Sequence, residues 1–595
     1  MNRIIQQCAR FGSSRNGRCS PEKHAEVQSR TVDQDPADVT VVLDQTQYLK
    51  GKMLAAATVA LNFAVFTAFV DLMAVSSLMP AISESLHAEK TITWAMTAML
   101  DGAVVGQCVF GYLSDIFTRR AMLLWALCLY AIGALGCALC SLRENTVAFF
   151  VLRAMIGIAT GSITNLVNIA QFDYVPPERR GTFQGFQGPS FFAAAVVGLL
   201  SAPALAQIRR EDSQPGWTGL YYLEGSLAVV AAVLVGICLP SKESSPKAPR
   251  IWHLLKTVDW LGILFGAAAV IPATTVIKEG DRFGWNSPTV IGLGCMSGFC
   301  ALVFVILGCM DRGLRPIVPF RLFRNPRVAI TYAVNFFVGF AYDDMLCFMP
   351  LYLVLARGKS PLVAGALMVP FVTTHGLQLF ASGAMVDWLT KRGHESIPYF
   401  MLFGSVLGTA SMAVLGGVDT KLPTWVNIML TVVFGLGTGS IMQTSVTAIR
   451  NEVSAEDAAV AIGSRNVIGF LGGSIGTAVG SQLVQWRLQA RLPSHLHSFA
   501  DYVFARPDLS ELAPKDQGLA QNATSGSLKT VFLASCAVFG LCVILCTQLV
   551  LKSRTKDIWQ GLRSVTASGA GTPQPRRSVE DMRDGEPAKT NHAEP

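Results

Sequence analysis

GYLSDIFTRR occupies residues 111–120, and a second version of the string, GAMVDWLTKR, occupies residues 383–392. Gly111 aligns with Gly383, Asp115 with Asp387, Thr118 with Thr390, and the basic pair Arg119 and Arg120 with Lys391 and Arg392. GIATGSI at 157–163 returns as GLGTGSI at 435–441, and VPPE at 175–178 returns as VSAE at 453–456, both at one shared offset slightly longer than the first. Asp71 and Asp343 are separated by the same distance along the chain as Asp115 and Asp387. One short match of this kind carries little weight. Four in order at nearly constant offset imply that one large unit has been duplicated, and repeated halves are a recurring build for secondary transporters.

Composition decides the solvent of that unit. The chain has 595 residues, 51% of them hydrophobic and 15% charged, with a mean hydropathy of +0.42. Soluble domains carry about 25% charged residues, so the surroundings here are a bilayer. From residue 53 to residue 550 apolar runs recur, each of roughly 20 residues and so able to cross a hydrocarbon core of about 30 Å. The predicted spans are 53–78, 92–113, 121–141, 147–170, 182–206, 219–239, 258–277, 288–309, 329–355, 361–388, 398–417, 424–446, 458–484 and 528–550. The last two of the first eight fall outside the repeat. The expected fold is therefore an all-α polytopic membrane protein with two six-helix bundles, 53–239 and 329–550, and two inserted helices within a linker region, 240–328. Residues 1–52 and 551–595 read as polar, disordered cytoplasmic tails.

The net charge of +8 comes from short loops and tails. No basic stripe is formed, and a nucleic-acid partner is not expected. Retention of Lys and Arg on the cytoplasmic side sets the orientation. With the N-terminus inside, Arg119 and Arg120, Arg179 and Arg180, the linker SKESSPKAPR at 241–250, the linker arginines Arg312, Arg315, Arg321, Arg324 and Arg327, Lys391 and Arg392, and Lys552, Arg554 and Lys556 are all cytoplasmic. The sequon Asn522-Ala523-Thr524 then lies outside, as a glycosylation site requires. Most of the 14 Cys sit in apolar runs without CxxC spacing, and His495 and His497 are too few for a metal site. Neither cofactor nor metal is expected, and the absence of a P-loop excludes ATP as the driving force.

The segment from Asp71 to Arg120 carries an acid in the first span, PAI at 80–82, Trp94 opening the second span and then GYLSDIFTRR. It resembles the start of the fourteen-span drug:proton antiporters of the major facilitator superfamily, a group that includes fungal efflux transporters. GYLSDIFTRR is similar to the superfamily's loop motif G-x-L-x-D-R-x-G-R-R, with Ile116 and Thr118 in place of a basic residue and a glycine. RGTFQG at 180–185, VDWLGIL at 258–264, GWNSP at 284–288 and GGSIGTAVG at 472–480 extend the likeness over residues 50–550. Two features depart from it. The helix-five motif G-P-x-x-G-G survives only as Gly198 followed by LLSAP, and Ile156 stands where a Gln is expected.

Acids and bases inside spans are costly in hydrocarbon and so point to function. The candidates for proton coupling or the substrate path are Asp71, Asp101, Arg153, Glu224, Asp343 and Asp344. Asp71 and Asp343 are expected to face a common cavity from the first helix of each half. Arg153 matches the superfamily's intramembrane arginine, and the resemblance implies that it holds an acid ionised until substrate or proton displaces the pair. Gly111, Asp115, Arg119 and Arg120, with Gly383, Asp387, Lys391 and Arg392, are the candidate gating motif, expected to pair across helix ends. His375 reads as a buried packing residue. The glycine strings at 435–440 and 469–476 read as helix-packing surfaces. Of the aromatics Phe336, Phe337, Phe340, Tyr342 and Phe348, one face could line a pocket.

These features describe a monomeric secondary transporter, not an enzyme, that moves small amphipathic organic compounds such as drugs, toxins or secondary metabolites across the plasma membrane by proton-coupled efflux. An importer or vacuolar carrier, for instance of basic amino acids, and a non-transporting membrane sensor are the competing readings. The topology is checked by cysteine labelling from outside intact cells. Reagent should reach residues introduced between 485 and 527 and never the C-terminal tail; the reverse pattern would invert the orientation.

Overall fold

Fourteen helices among the described residues are long and apolar enough to cross a membrane. In chain order they are α1 Gly51–Leu86, α2 Trp94–Ile116, α3 Arg119–Cys140, α4 Thr146–Tyr174, α5 Arg180–Ala206, α6 Thr218–Cys238, α7 Trp260–Phe283 and α8 Pro288–Cys309. The series continues with α9 Pro326–Leu355, α10 Pro361–Lys391, α11 Ile397–Gly417, α12 Thr424–Glu452, α13 Ala458–Arg491 and α14 Pro514–Gly569. The computed structural model describes residues 48–176, 179–208, 215–240, 255–256, 258–310, 318–417, 423–454, 457–505 and 512–569. The side chains of Asp115, Arg554 and Lys556, the linker 241–250, Arg312, Arg315 and most of both expected tails lie outside the description.

Each predicted span falls on one of these helices. Most helices run past the apolar stretch at one end or both, because backbone i to i−4 bonding does not stop where lipid gives way to water. Local caps set several ends. The side chains of Thr118, Asn145, Asp259, Ser287 and Ser360 each accept a hydrogen bond from a backbone N–H in the first turn of the helix that follows. One expectation fails at the 485–527 loop. That stretch is largely helical: α13 continues to Arg491, short helices span Ser494–Leu496 and His497–Tyr502, and α14 begins at Pro514. Asn522 is exposed on α14, while the Thr524 hydroxyl of the sequon is fully buried. Polar composition suggested a loop because hydropathy does not register a helix continuing into water.

Two six-helix bundles follow from the pairings. In the first, α1 packs on α5 and α6, α4 packs on α2 and α3, and α3 packs on α6. The second repeats every one of these contacts eight helices later: α9 on α13 and α14, α12 on α10 and α11, and α11 on α14. The bundles meet through α5 against α10 and α2 against α13, two contacts that the duplication maps onto each other. Inserted helices α7 and α8 pack on one another, and α7 also reaches α2 and α13 at one side of the inter-bundle seam. Neither lines the central cavity described below.

Lipid tails are as apolar as leucine, so these helices associate through close van der Waals fit rather than through a hydrophobic drive. The glycine strings supply that fit. A Cβ at Gly157 would run into the Met99 carbonyl, and one at Gly161 into the Ala103 carbonyl, so α2 and α4 touch backbone to backbone. Gly435 and Gly439 hold α12 against the Phe371 and His375 carbonyls of α10 in the same way. Replacing Gly157 by Val is expected to force α2 from α4 and to destabilise the protein by about 1–3 kcal/mol. The check is the unfolding temperature of purified protein in detergent, where an unchanged value would contradict the contact.

Candidate functional site

Arg153 is fully buried in α4. Its Nε donates to the Ala95 carbonyl at the start of α2 over 3.0 Å, and its Nη1 donates to Asp71 Oδ1 of α1. Glu224 of α6, also fully buried, is close enough to interact electrostatically with both. Asp71 Oδ2, Arg153 Nη2 and both Glu224 oxygens have no hydrogen-bond partner among the described residues. One guanidinium thus faces two carboxyl groups inside the apolar first bundle. Asp71 does not line the cavity, contrary to expectation. The repeat aligns Asp71 with Asp343 in sequence, but helix rotation turns Asp71 toward α4.

Asp343 does line the cavity, an irregular space between the bundles that is open on one side and holds about 120 Å³. Its walls come from Phe69 and Leu72 of α1, Thr164 and Asn168 of α4, Gln184, Gln187 and Phe191 of α5, and Asn335, Gly339, Tyr342 and Asp343 of α9. The other walls are His375 and Leu379 of α10, Met442, Gln443 and Val446 of α12, and Arg465, Asn466, Gly469 and Phe470 of α13. The cavity therefore lies toward the end of the bundles that carries the basic loops. Asp343 packs against the bare Cα of Gly473, where any side chain would displace the carboxylate. Neighbouring Asp344 turns away and accepts a hydrogen bond from Ser535 Oγ of α14 over 2.8 Å. Of the five aromatics singled out on this helix in the sequence, Tyr342 alone lines the cavity.

Two cavity residues were underread in the sequence. His375 bonds Thr438 Oγ1 through Nδ1 at 2.9 Å and lies 4.8 Å from the Tyr342 ring, in the wall rather than in general packing. Arg465 went unremarked although it lies inside the predicted span 458–484, seven residues past the start of α13, the same depth at which Arg153 sits in α4.

Asp101 of α2 belongs to a separate network at the seam. It accepts from Thr274 Oγ1 of α7 at 2.9 Å and from Ser474 Oγ of α13 at 2.5 Å. Lys278 of α7 donates to Thr97 Oγ1 at 2.7 Å, lies 5.0 Å over the Trp94 ring and interacts electrostatically with Asp101. Its carbonyl accepts from Gln482 of α13, and Trp94 Nε1 donates to Glu279 Oε1 at 2.7 Å. An inserted helix thereby joins both bundles through buried polar groups. Lys278 escaped notice because the predicted seventh span ended one residue before it.

The two loop motifs part company in the structure. Arg119 pairs with Asp173 at 3.0 Å and with Ser114, and Arg120 donates to the Leu239 carbonyl, so both serve the first bundle internally rather than crossing to the second. Asp387 does cross: it accepts from the Thr182 N–H at 3.0 Å and the Thr182 hydroxyl at 3.1 Å, at the first turn of α5. Lys391 is exposed, and Arg392 lies 3.8 Å over Trp388. The glycines do correspond. A Cβ at Gly111 would stand 2.9 Å from Asn165 Nδ2, and one at Gly383 3.1 Å from Gln443 Nε2. Asn165 and Gln443 are themselves related by the offset that carries GIATGSI onto GLGTGSI. Among the described residues no cluster of three or more His, Cys, Asp or Glu could hold a metal ion.

A family model described as Major Facilitator Superfamily matches residues 61–477. The chain belongs to this superfamily. Relatives include the MFS-type transporter clz4 of Cochliobolus lunatus, 30% identical over 84% of this chain and 87% of that protein. Citrate exporter 1 of Yarrowia lipolytica is 29% identical over 84% of this chain and 73% of its own length. Efflux pump dotC of Dothistroma septosporum is 27% identical over 86% and 87%. A bacterial homologue of the human lysosomal transporter Spinster, in an inward-facing unoccupied conformation, shares the fold with a TM-score of 0.57 at 13% identity, covering 84% of this chain and 97% of that one. The protein is thus a multi-pass membrane transporter of the major facilitator superfamily.

Removing the seam cation tests whether α7 is a structural part of this transporter. Lys278→Met leaves Asp101 without its nearest buried positive charge and should lower stability by about 1–3 kcal/mol. Thermal unfolding in detergent reads the change. A variant as stable as the parent would show that the network contributes nothing.

Proposed function

We propose that this transporter exports small amphipathic organic compounds in exchange for protons, as the bundles 53–239 and 329–550 rock about the cavity. The observation that carries the reading is the division of labour on α1. Asp71 faces Arg153 and, beyond it, Glu224, while Phe69 and Leu72 of the same helix line the cavity. With Arg153 charged, two ionised acids would leave one surplus negative charge in apolar surroundings, an arrangement that costs several kcal/mol. One proton shared by Asp71 and Glu224 removes it. Rocking that wets the cluster from one side and then the other would load and release that proton, and α1 would pass the change to the cavity wall.

The walls suit an amphipathic guest: aromatic rings at Phe69, Phe191 and Phe470 alternate with amide side chains and with Asp343. Two relatives bear the names of exporters, which supports the outward direction. Asp387 of α10, bonded to Thr182 at the start of α5, acts as the latch on the basic-loop side, which is cytoplasmic in the proposed orientation. Export of a metabolite from the cell places the monomer in the plasma membrane.

Untargeted comparison of metabolites in cells and medium, between a deletion strain and its parent, supplies the compound. Proteoliposomes then separate coupling from transport. For one-to-one exchange a gradient of one pH unit supports about tenfold accumulation. Asp71→Asn or Glu224→Gln should abolish that accumulation yet preserve counterflow, since size and most contacts are kept. Arg153→Ala should lose both activities, because two buried acids would be left without their cation. Full pH-driven accumulation in both carboxyl variants would remove the cluster from the mechanism.

A further inference from the structure

Arg465 differs from the other buried arginines among the described residues. Arg153 has Asp71 and Arg119 has Asp173. Arg465, 8% exposed in the cavity wall, has three neutral partners instead: Nε donates to Ser445 Oγ at 2.9 Å, Nη1 to Asn466 Oδ1 at 2.7 Å and Nη2 to the Met442 carbonyl at 2.8 Å. No acid among the described residues lies within ion-pair distance of it, and none is close enough to act on it electrostatically. Asp343, the acid of the same cavity, likewise has no cation acting on it, so the two charges line different parts of the space without answering each other.

A guanidinium stays charged at any physiological pH, so the transporter holds a permanent positive charge in its apolar interior with no counter-charge among the described residues. Such a charge is costly, and a ligand that neutralises it recovers the cost on binding. The three hydrogen bonds consume one N–H on each nitrogen. One N–H remains on Nη1 and one on Nη2, two donors left for a carboxylate. The bonds already made fix the plane of the group. Its pre-set orientation lowers the entropy lost when a carboxylate docks.

We propose that the cavity binds organic acids, with Arg465 receiving the carboxylate and the aromatic rings of Phe69, Phe191 and Phe470 receiving an apolar body. This rests on the reading of the cavity as the substrate site. The walls are drawn from seven helices and include three phenylalanine rings, far more surface than a carboxylate needs. The class is therefore amphipathic acids, with a ring system or chain behind the acid group. Amphipathic cations have only Asp343 to bind and must tolerate Arg465.

The test uses two fluorescent probes with one apolar body and opposite charges, pyrenebutyrate and pyrenebutylammonium, titrated onto the purified full-length transporter in detergent. Pyrenebutyrate should bind more tightly than pyrenebutylammonium. Arg465→Gln should weaken pyrenebutyrate roughly tenfold or more and leave the cation unchanged or improved. Arg465→Lys, which keeps the charge but not the fork, should fall between. Equal binding of the two probes by the parent protein, tighter binding of the cation, or an Arg465→Gln variant that folds and binds pyrenebutyrate normally would each overturn the proposal. Should the Gln variant fail to fold, the parent's preference and the Lys variant still decide. Binding is read without transport, so acid-selective binding combined with no flux in proteoliposomes would count against the export reading and leave the site standing.

Discussion

Arg153 brings a full charge into the apolar centre of the first bundle, and the surrounding architecture is arranged around that fact. Asp71 on α1, Glu224 on α6 and the Ala95 carbonyl on α2 all converge on one residue of α4. Hydrocarbon offers a charge no solvation, so removing any one of these partners leaves another group stranded. The cluster therefore ties four helices of one bundle to a fixed sum of charges. In the proposed exchange a proton is the species that alters that sum, so the charge that holds the bundle together is also the one the proposal assigns to coupling.

The second bundle repeats the helix contacts of the first without repeating its chemistry. Asp344 lies beside Ser535 of α14, much as Asp71 lies near Glu224 of α6, but no arginine stands between them. Its buried arginine, Arg465, is placed on α13 and opens onto the cavity. Duplication preserved the backbone fit, as the glycine contacts of α2 with α4 and of α10 with α12 show. The charged groups diverged between the halves. One bundle keeps its charge paired inside itself, and the other presents charge to the space between them.

The inserted helices add a second asymmetry. α7 closes one of the two inter-bundle seams with Thr274, Lys278 and Glu279, while the related seam between α5 and α10 is closed by glycine contacts such as Gly188 on the Gly376 carbonyl. Polar groups buried in lipid rarely act alone, and here every member of the α7 network finds a partner on α2 or α13. In the proposed cycle, rocking of the bundles would have to carry α7 along or break these bonds.

Much of this was legible in the chain. The fourteen apolar runs, the repeat of GYLSDIFTRR in GAMVDWLTKR and the rarity of charges within spans determined the membrane setting, the two-bundle plan and the buried charges Asp71, Asp101, Arg153, Glu224, Asp343 and Asp344, because a bilayer constrains composition along the sequence itself. Glycine strings could be assigned to packing for the same reason. What the sequence left undetermined was the direction in which each side chain points. Asp71 and Asp343 align in the repeat, yet one faces an arginine and the other the cavity. Arg119 and Asp387 belong to one motif, yet one pairs within its bundle and the other crosses between them. Lys278, one residue past the predicted seventh span, and Arg465, inside the thirteenth, went unremarked, and packing placed them against Asp101 and in the cavity wall. A helix turns its residues through about 100° each, so a small rotation within a bundle decides which neighbour a charge meets. That rotation is fixed by contacts between residues far apart in the chain, and only the tertiary structure contains them.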